Sequence, residues 1–266
     1  MGFHIPILIT VLSLLLLPQK TPAAGSKGCL SCHRVHYGEQ KRCIACHRGN
    51  DNTDRKLVAH EGIIPGRYSW FTISGSRQTA GGNKLADNFG CRRCHILGKR
   101  GNRLAMGLDS LSVTRRADEI AQAIEKPAQS MPDFHFSGNE ITDLVNAILF
   151  FGKGTTGKSK ELPLVVHFTD EGRATENIFE EKCGGCHRLL SAKYGGLGKG
   201  DIGPNLSGFL TPFYPESLDW HGKWSLKKLR DWLENPRRFR GNAQMPPVPL
   251  GKEEFRDLEA VLKSSI

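Results

Sequence analysis

All eight cysteines of this 266-residue chain fall into Cys-x-x-Cys pairs, at 29/32, 43/46, 91/94 and 183/186, and a histidine follows each pair directly. No cysteine is left over. Two thiols three residues apart can reach the two vinyl groups of one haem and close thioether bonds, while the adjacent imidazole turns onto the iron. Disulfides have no use for a histidine after every pair, thioredoxin-type pairs do not come four to a chain, and a zinc site would need two pairs brought together. The spacing therefore reads as a covalent clamp for haem, repeated four times.

The rest of the composition fits a folded protein. Hydrophobic residues make up 38% and charged residues 24%, neither a disordered tail nor a polytopic membrane protein. The apolar run from Ile5 to Leu17 is too short to span a bilayer as a helix. Pro18 breaks it before Thr-Pro-Ala-Ala at 21–24, so residues 1–24 are expected to be a secretory signal peptide cleaved after Ala23 or Ala24. The run is not preceded by Lys or Arg, which leaves an uncleaved anchor as the alternative.

Through Cys29-Leu30-Ser31-Cys32-His33, Cys43-Ile44-Ala45-Cys46-His47, Cys91-Arg92-Arg93-Cys94-His95 and Cys183-Gly184-Gly185-Cys186-His187, the chain resembles the multihaem c-type cytochromes over nearly all of its mature length. The resemblance implies four covalently attached haem c groups with His33, His47, His95 and His187 as proximal iron ligands. It also implies attachment outside the cytoplasm, in a periplasmic or otherwise exported protein that is soluble or peripherally membrane-associated.

The expected fold class is mainly α, a loop-rich dihaem segment followed by two small all-α cytochrome c domains. Residues 25–62 hold two motifs in a stretch too short to bury a core unaided, so two porphyrins are expected to supply it. His36 and His60 are the spare histidines here. In multihaem cytochromes such histidines commonly serve as sixth ligands; the alternative for each is a surface histidine, and the pairing of each with a haem is open. Residues 63–83, with Pro65, four glycines and the aromatics Tyr68, Trp70 and Phe71, read as a linker covering a haem edge.

Residues 84–152 run in the order of the single-haem fold: motif, Gly/Arg-rich loop, helix at 116–125, Met131-Pro132, closing helix at 139–150 with Ile141, Leu144, Val145, Ile148 and Leu149 on one face. Met131 is the expected sixth ligand of the third haem, with proline keeping it out of helical conformation, His135 as its rival and Met106 as loop packing. Residues 153–170 read as a basic linker. Gly152 to Ser159 matches a P-loop pattern but follows a helix instead of a strand, which argues against nucleotide binding.

Residues 171–266 repeat the order: a helix at 174–182, the fourth motif, Gly203-Pro204-Asn205-Leu206, a helix at 225–234, Met245-Pro246 and a closing helix at 252–263. Met245 is the expected sixth ligand of the fourth haem, and Pro204 the carbonyl that accepts the ring N–H of His187. Trp224 and Trp232 are expected in the pocket or core, His167 and His221 on the surface.

With two protein ligands on every iron no substrate position is open, and what remains is outer-sphere electron transfer in a bacterial respiratory chain, either free or as the cytochrome subunit of a quinol-oxidising membrane complex. The alternative is a multihaem reductase whose one open N-terminal haem acts on a small oxyanion or peroxide. The net charge of +10 and the clusters at Arg92-Arg93, Lys99-Arg100-Arg103, Lys227-Lys228-Arg230 and Arg237-Arg238-Arg240 suit acidic redox protein partners or anionic lipid; a solvated basic surface is the plainer reading. No nucleic acid partner is expected for an exported chain.

Overall fold

Four serine or asparagine side chains start the main helices. Ser76 accepts from Thr79 N, Ser137 from Glu140 N, Asn177 from Phe179 N and Glu180 N, and Ser225 from Lys228 N, satisfying amides that the first helical turn leaves without partners. The computed structural model describes residues 27–39, 42–128, 130–156, 177–216 and 222–265. The expected signal peptide, most of the expected linker at 153–170, His167 and His221 lie outside the described residues.

Among the described residues up to Gly62, the chain forms only single-turn helices, α1 (Lys27–Leu30), α2 (Ile44–His47) and α3 (Lys56–Ala59). It is followed by α4 (Arg77–Asn88), α5 (Leu111–Thr114), α6 (Ala117–Glu125) and α7 (Gly138–Phe151). The C-terminal unit holds α8 (Ile178–Lys182), β1 (Leu189–Ser191), β2 (Gly195–Leu197), α9 (Leu226–Glu234), α10 (Pro236–Phe239) and α11 (Lys252–Lys263). The protein is mostly helical, and no helix among the described residues is long and apolar enough to cross a membrane.

Two apolar cores organise it. The first joins Leu97, Leu111, Ile120, Ile141, Leu144, Val145, Ile148 and Leu149 with Ile64, Tyr68 and Phe71. Residues 63–83 are therefore not a linker. Asn146, fully buried on α7, accepts from Phe71 N at 2.9 Å and donates to the carbonyls of Arg67 and Thr142, each at 2.9 Å; one satisfied amide stitches the segment to the helix. Its last part is α4, which crosses α7 so closely that a Cβ at Gly82 would stand 1.9 Å from the Asp143 carbonyl oxygen. Only glycine permits that approach.

The second core gathers Phe179, Leu189, Leu197, Phe209, Leu229, Leu233, Phe255, Leu258, Val261 and Leu262. Here the all-α expectation is corrected: β1 and β2 form an antiparallel hairpin pairing Leu189 with Leu197. Ser191 Oγ accepts from Lys193 N and Tyr194 N, Gly195 takes φ 74°, and the two paired leucines are 1% exposed. Turn chemistry and apolar burial thus agree on a hairpin.

Candidate haem sites

In each motif the amide of the histidine donates to the carbonyl of the first cysteine, at 3.0, 3.0, 3.0 and 2.9 Å along the chain. One helical turn thus places both sulfurs and the imidazole on one side of the backbone. No disulfide joins any of the eight cysteines. Burial pushes the Cys91 and Cys183 thiols up to about 11.

Three of the four histidines are oriented through the ring nitrogen that faces the backbone. Nδ1 of His47 lies 3.0 Å from Ile64 O, Nδ1 of His95 2.7 Å from Met106 O, and Nδ1 of His187 2.8 Å from Pro204 O. A carbonyl can only accept, so Nδ1 carries the proton and Nε2 keeps its lone pair for a metal. Pro204 holds the position expected for it. Met106 holds the same position at the third site through its main chain, which the sequence reading missed by treating it as loop packing. Burial lowers the His95 pKa, against the opposing pull of its bond to Met106, keeping the imidazole neutral.

The two later sites are built on one ladder. Cys94 O accepts from Ala105 N and Ile96 O from Leu108 N; correspondingly Cys186 O accepts from Gly203 N and Arg188 O from Leu206 N. Ala-Met-Gly-Leu at 105–108 thus stands where Gly-Pro-Asn-Leu stands at 203–206. A Cβ at Gly203 would meet the His187 ring at 2.3 Å, so the strip lies flush on the imidazole only because that residue is glycine.

The spare histidines come to the first two motifs in separate pairs. His36 Nε2 lies 3.4 Å from His47 Nε2, with ring centroids 5.6 Å apart. The rings of His33 and His60 are 6.0 Å apart. Both pairs border a cavity of about 1160 Å³ lined by the two cysteine clamps, all four histidines and Trp70, large and apolar enough for bulky planar groups. Arg42, next to Cys43, forms a two-pronged bond to the buried Asp51 carboxylate at 2.7 and 3.0 Å, which fixes the second clamp. Thr72 donates to Cys46 Sγ at 3.1 Å.

At the third site Phe134 and Phe136 pack on Phe89, with ring centroids 5.4 and 4.7 Å away, so the Met131-Pro132 loop is held beside the helix that leads into Cys91. His135 is turned outward with 85% of its side chain exposed, against Asp133 at 3.2 Å. At the fourth site Trp232 Nε1 lies 3.1 Å from Met245 Sδ, and both Met245 and Trp224 pack on the second core.

One expectation about charge fails. Arg92 and Arg93 are 4% and 9% exposed and form no surface patch; Arg237, Arg238 and Arg240 are exposed as expected.

Comparison of the chain with family models, with curated proteins and with solved structures returns no match.

Proposed function

We propose that the chain is an exported tetrahaem c-type cytochrome, made of a dihaem segment and two single-haem cytochrome c units, that carries out outer-sphere electron transfer in a bacterial respiratory chain, either free or as the cytochrome subunit of a quinol-oxidising membrane complex. The observation that carries this reading is the shared treatment of the motif histidines: at three sites Nδ1 is bonded to a backbone carbonyl and Nε2 is left for a metal, directly beside two cysteines on the same turn. The apolar cavity lined by the first two motifs fits the same group. Bound haem supplies a one-electron ferric/ferrous couple whose potential follows its axial ligands.

The residues of the chain then divide the work. His33 faces His60 and His47 faces His36, which favours bis-histidine ligation at the first two sites and leaves the open-site reductase without a vacant position to use. Met131 and Met245 are the thioether ligands of the third and fourth sites. Methionine ligation raises potential relative to two histidines, so electrons would enter at the dihaem segment and leave from the C-terminal units. The test is the spectrum of the oxidised full-length protein. A wholly low-spin signal supports an electron carrier, and a high-spin fraction of about one haem in four would return the reductase reading.

A further inference from the structure

Arg92 and Arg93 share a motif and a buried setting but differ in how their charge is met. Arg92 donates to Leu97 O and Asn83 Oδ1 and pairs with the Asp87 carboxylate, so it is neutralised inside its own unit. Arg93 donates to Gly90 O at 3.2 Å and, 112 residues further along the chain, to Asn205 O at 2.7 Å. Its guanidinium stands 5.1 Å from the Tyr214 ring centroid. Among the described residues no carboxylate pairs with it.

A guanidinium cannot shed its proton, and a buried charge without a counter-charge is costly. Its position shows what it acts on. Arg93 lies between Cys91 and Cys94, within the third clamp. Asn205 follows Pro204, whose carbonyl holds His187 of the fourth site. The two sites meet again at Gly208, where a Cβ would stand 2.8 Å from Arg93 O and 3.0 Å from Asn102 Nδ2.

Resting on the four-haem reading, we propose that Arg93 is a positioning residue that couples the third and fourth haem sites, docking the two units on each other and holding both potentials up with one shared fixed charge. A bound haem loses one unit of positive charge on reduction, so a fixed cation held in low dielectric beside it favours the reduced form. Arg93 sits inside the third clamp and bonds the residue that follows Pro204 at the fourth site, and among the described residues no carboxylate of either unit pairs with it.

The test is spectropotentiometric titration of full-length holoprotein carrying Arg93→Gln, Arg93→Lys or Asn205→Asp, with haem content per chain and thermal midpoint measured on each. Arg93→Gln is expected to lower the reduction equilibrium of the two methionine-ligated sites about tenfold, or about 59 mV for one electron, and to leave the bis-histidine sites in place. Arg93→Lys keeps the charge and loses the fork, so it is expected to lower the thermal midpoint while retaining most of the potential. Asn205→Asp is isosteric, keeps an oxygen for Ser207 N, which Asn205 Oδ1 accepts at 2.9 Å, and brings a counter-charge to Arg93; it is expected to lower both potentials with the fold intact. Unmoved potentials in Arg93→Gln with only a lower thermal midpoint would reduce Arg93 to structural glue and overturn the proposal. If Arg93→Gln does not mature, unmoved potentials in Asn205→Asp overturn it equally. A wild-type chain with fewer than four haems would overturn the haem reading and the proposal with it, whereas four haems with unmoved potentials overturn the proposal alone.

Discussion

His36 Nε2 lies 3.4 Å from His47 Nε2, and His60 turns its ring toward His33. The pairing is crossed along the sequence: the histidine just after the first motif stands against the histidine of the second, and the one after the second motif against the histidine of the first. The two sites are therefore interleaved and share one cavity, so neither is expected to form without the other's segment.

The pairing gives a discriminating experiment. In a background where Cys29 and Cys32 are serine, His36→Ala is expected to convert the haem of the second site to a high-spin, carbon-monoxide-binding form, and His60→Ala is expected to leave it low-spin. The reverse pattern would mean that the pairs are assigned the wrong way round.

At the C-terminal sites, Met131→Ala and Met245→Ala should each lower one midpoint potential and remove part of the thioether-to-ferric absorption. His135→Ala should change neither, because its side chain is turned to solvent beside Asp133. A shift with His135→Ala and none with Met131→Ala would reassign the third site.

Asn146→Ala removes three hydrogen bonds at once and leaves the buried Phe71 N without its side-chain partner. A loss of about 2–4 kcal/mol is expected in denaturant titration, with fluorescence of Trp70 changing in the same transition. Independent loosening of residues 63–73 with no global loss would show that this segment is not part of the first core.

Acid should weaken α7. Glu140 accepts from Ser137 N at 2.8 Å and from its hydroxyl, and these bonds hold its pKa below the ordinary carboxylate value. A depressed native pKa contributes stability that is fully present above about pH 4.3 and is lost as pH falls through the native value. Glu140→Gln is expected to flatten the fall in stability below that pH; an unchanged profile would assign the acid sensitivity to other carboxylates.

The helices were legible because their caps and periodicity are local: the expected helices at 116–125, 139–150, 225–234 and 252–263 all appear within a residue of their expected ends. What stayed hidden was tertiary. Pro65 and the glycines of 63–83 disguised a segment whose burial depends on Asn146, more than 70 residues away. The 189–197 hairpin is too short to show a strand period. Arg92 and Arg93 looked like surface charge because arginine is seldom buried unless paired, and Arg93's partner carbonyl belongs to another unit. The four Cys-x-x-Cys-His turns were legible because each is written in consecutive residues; the neighbours of His36 and His60 were not, because they are met only once two loops are folded.

The most direct test of the account is the mass of the intact, denatured wild-type chain after acid-acetone extraction, read together with its pyridine haemochrome spectrum. The polypeptide is expected to carry the added mass of four haems that survive extraction, one for each cysteine pair. A chain that loses its haem on extraction, or that retains fewer than four, would contradict it.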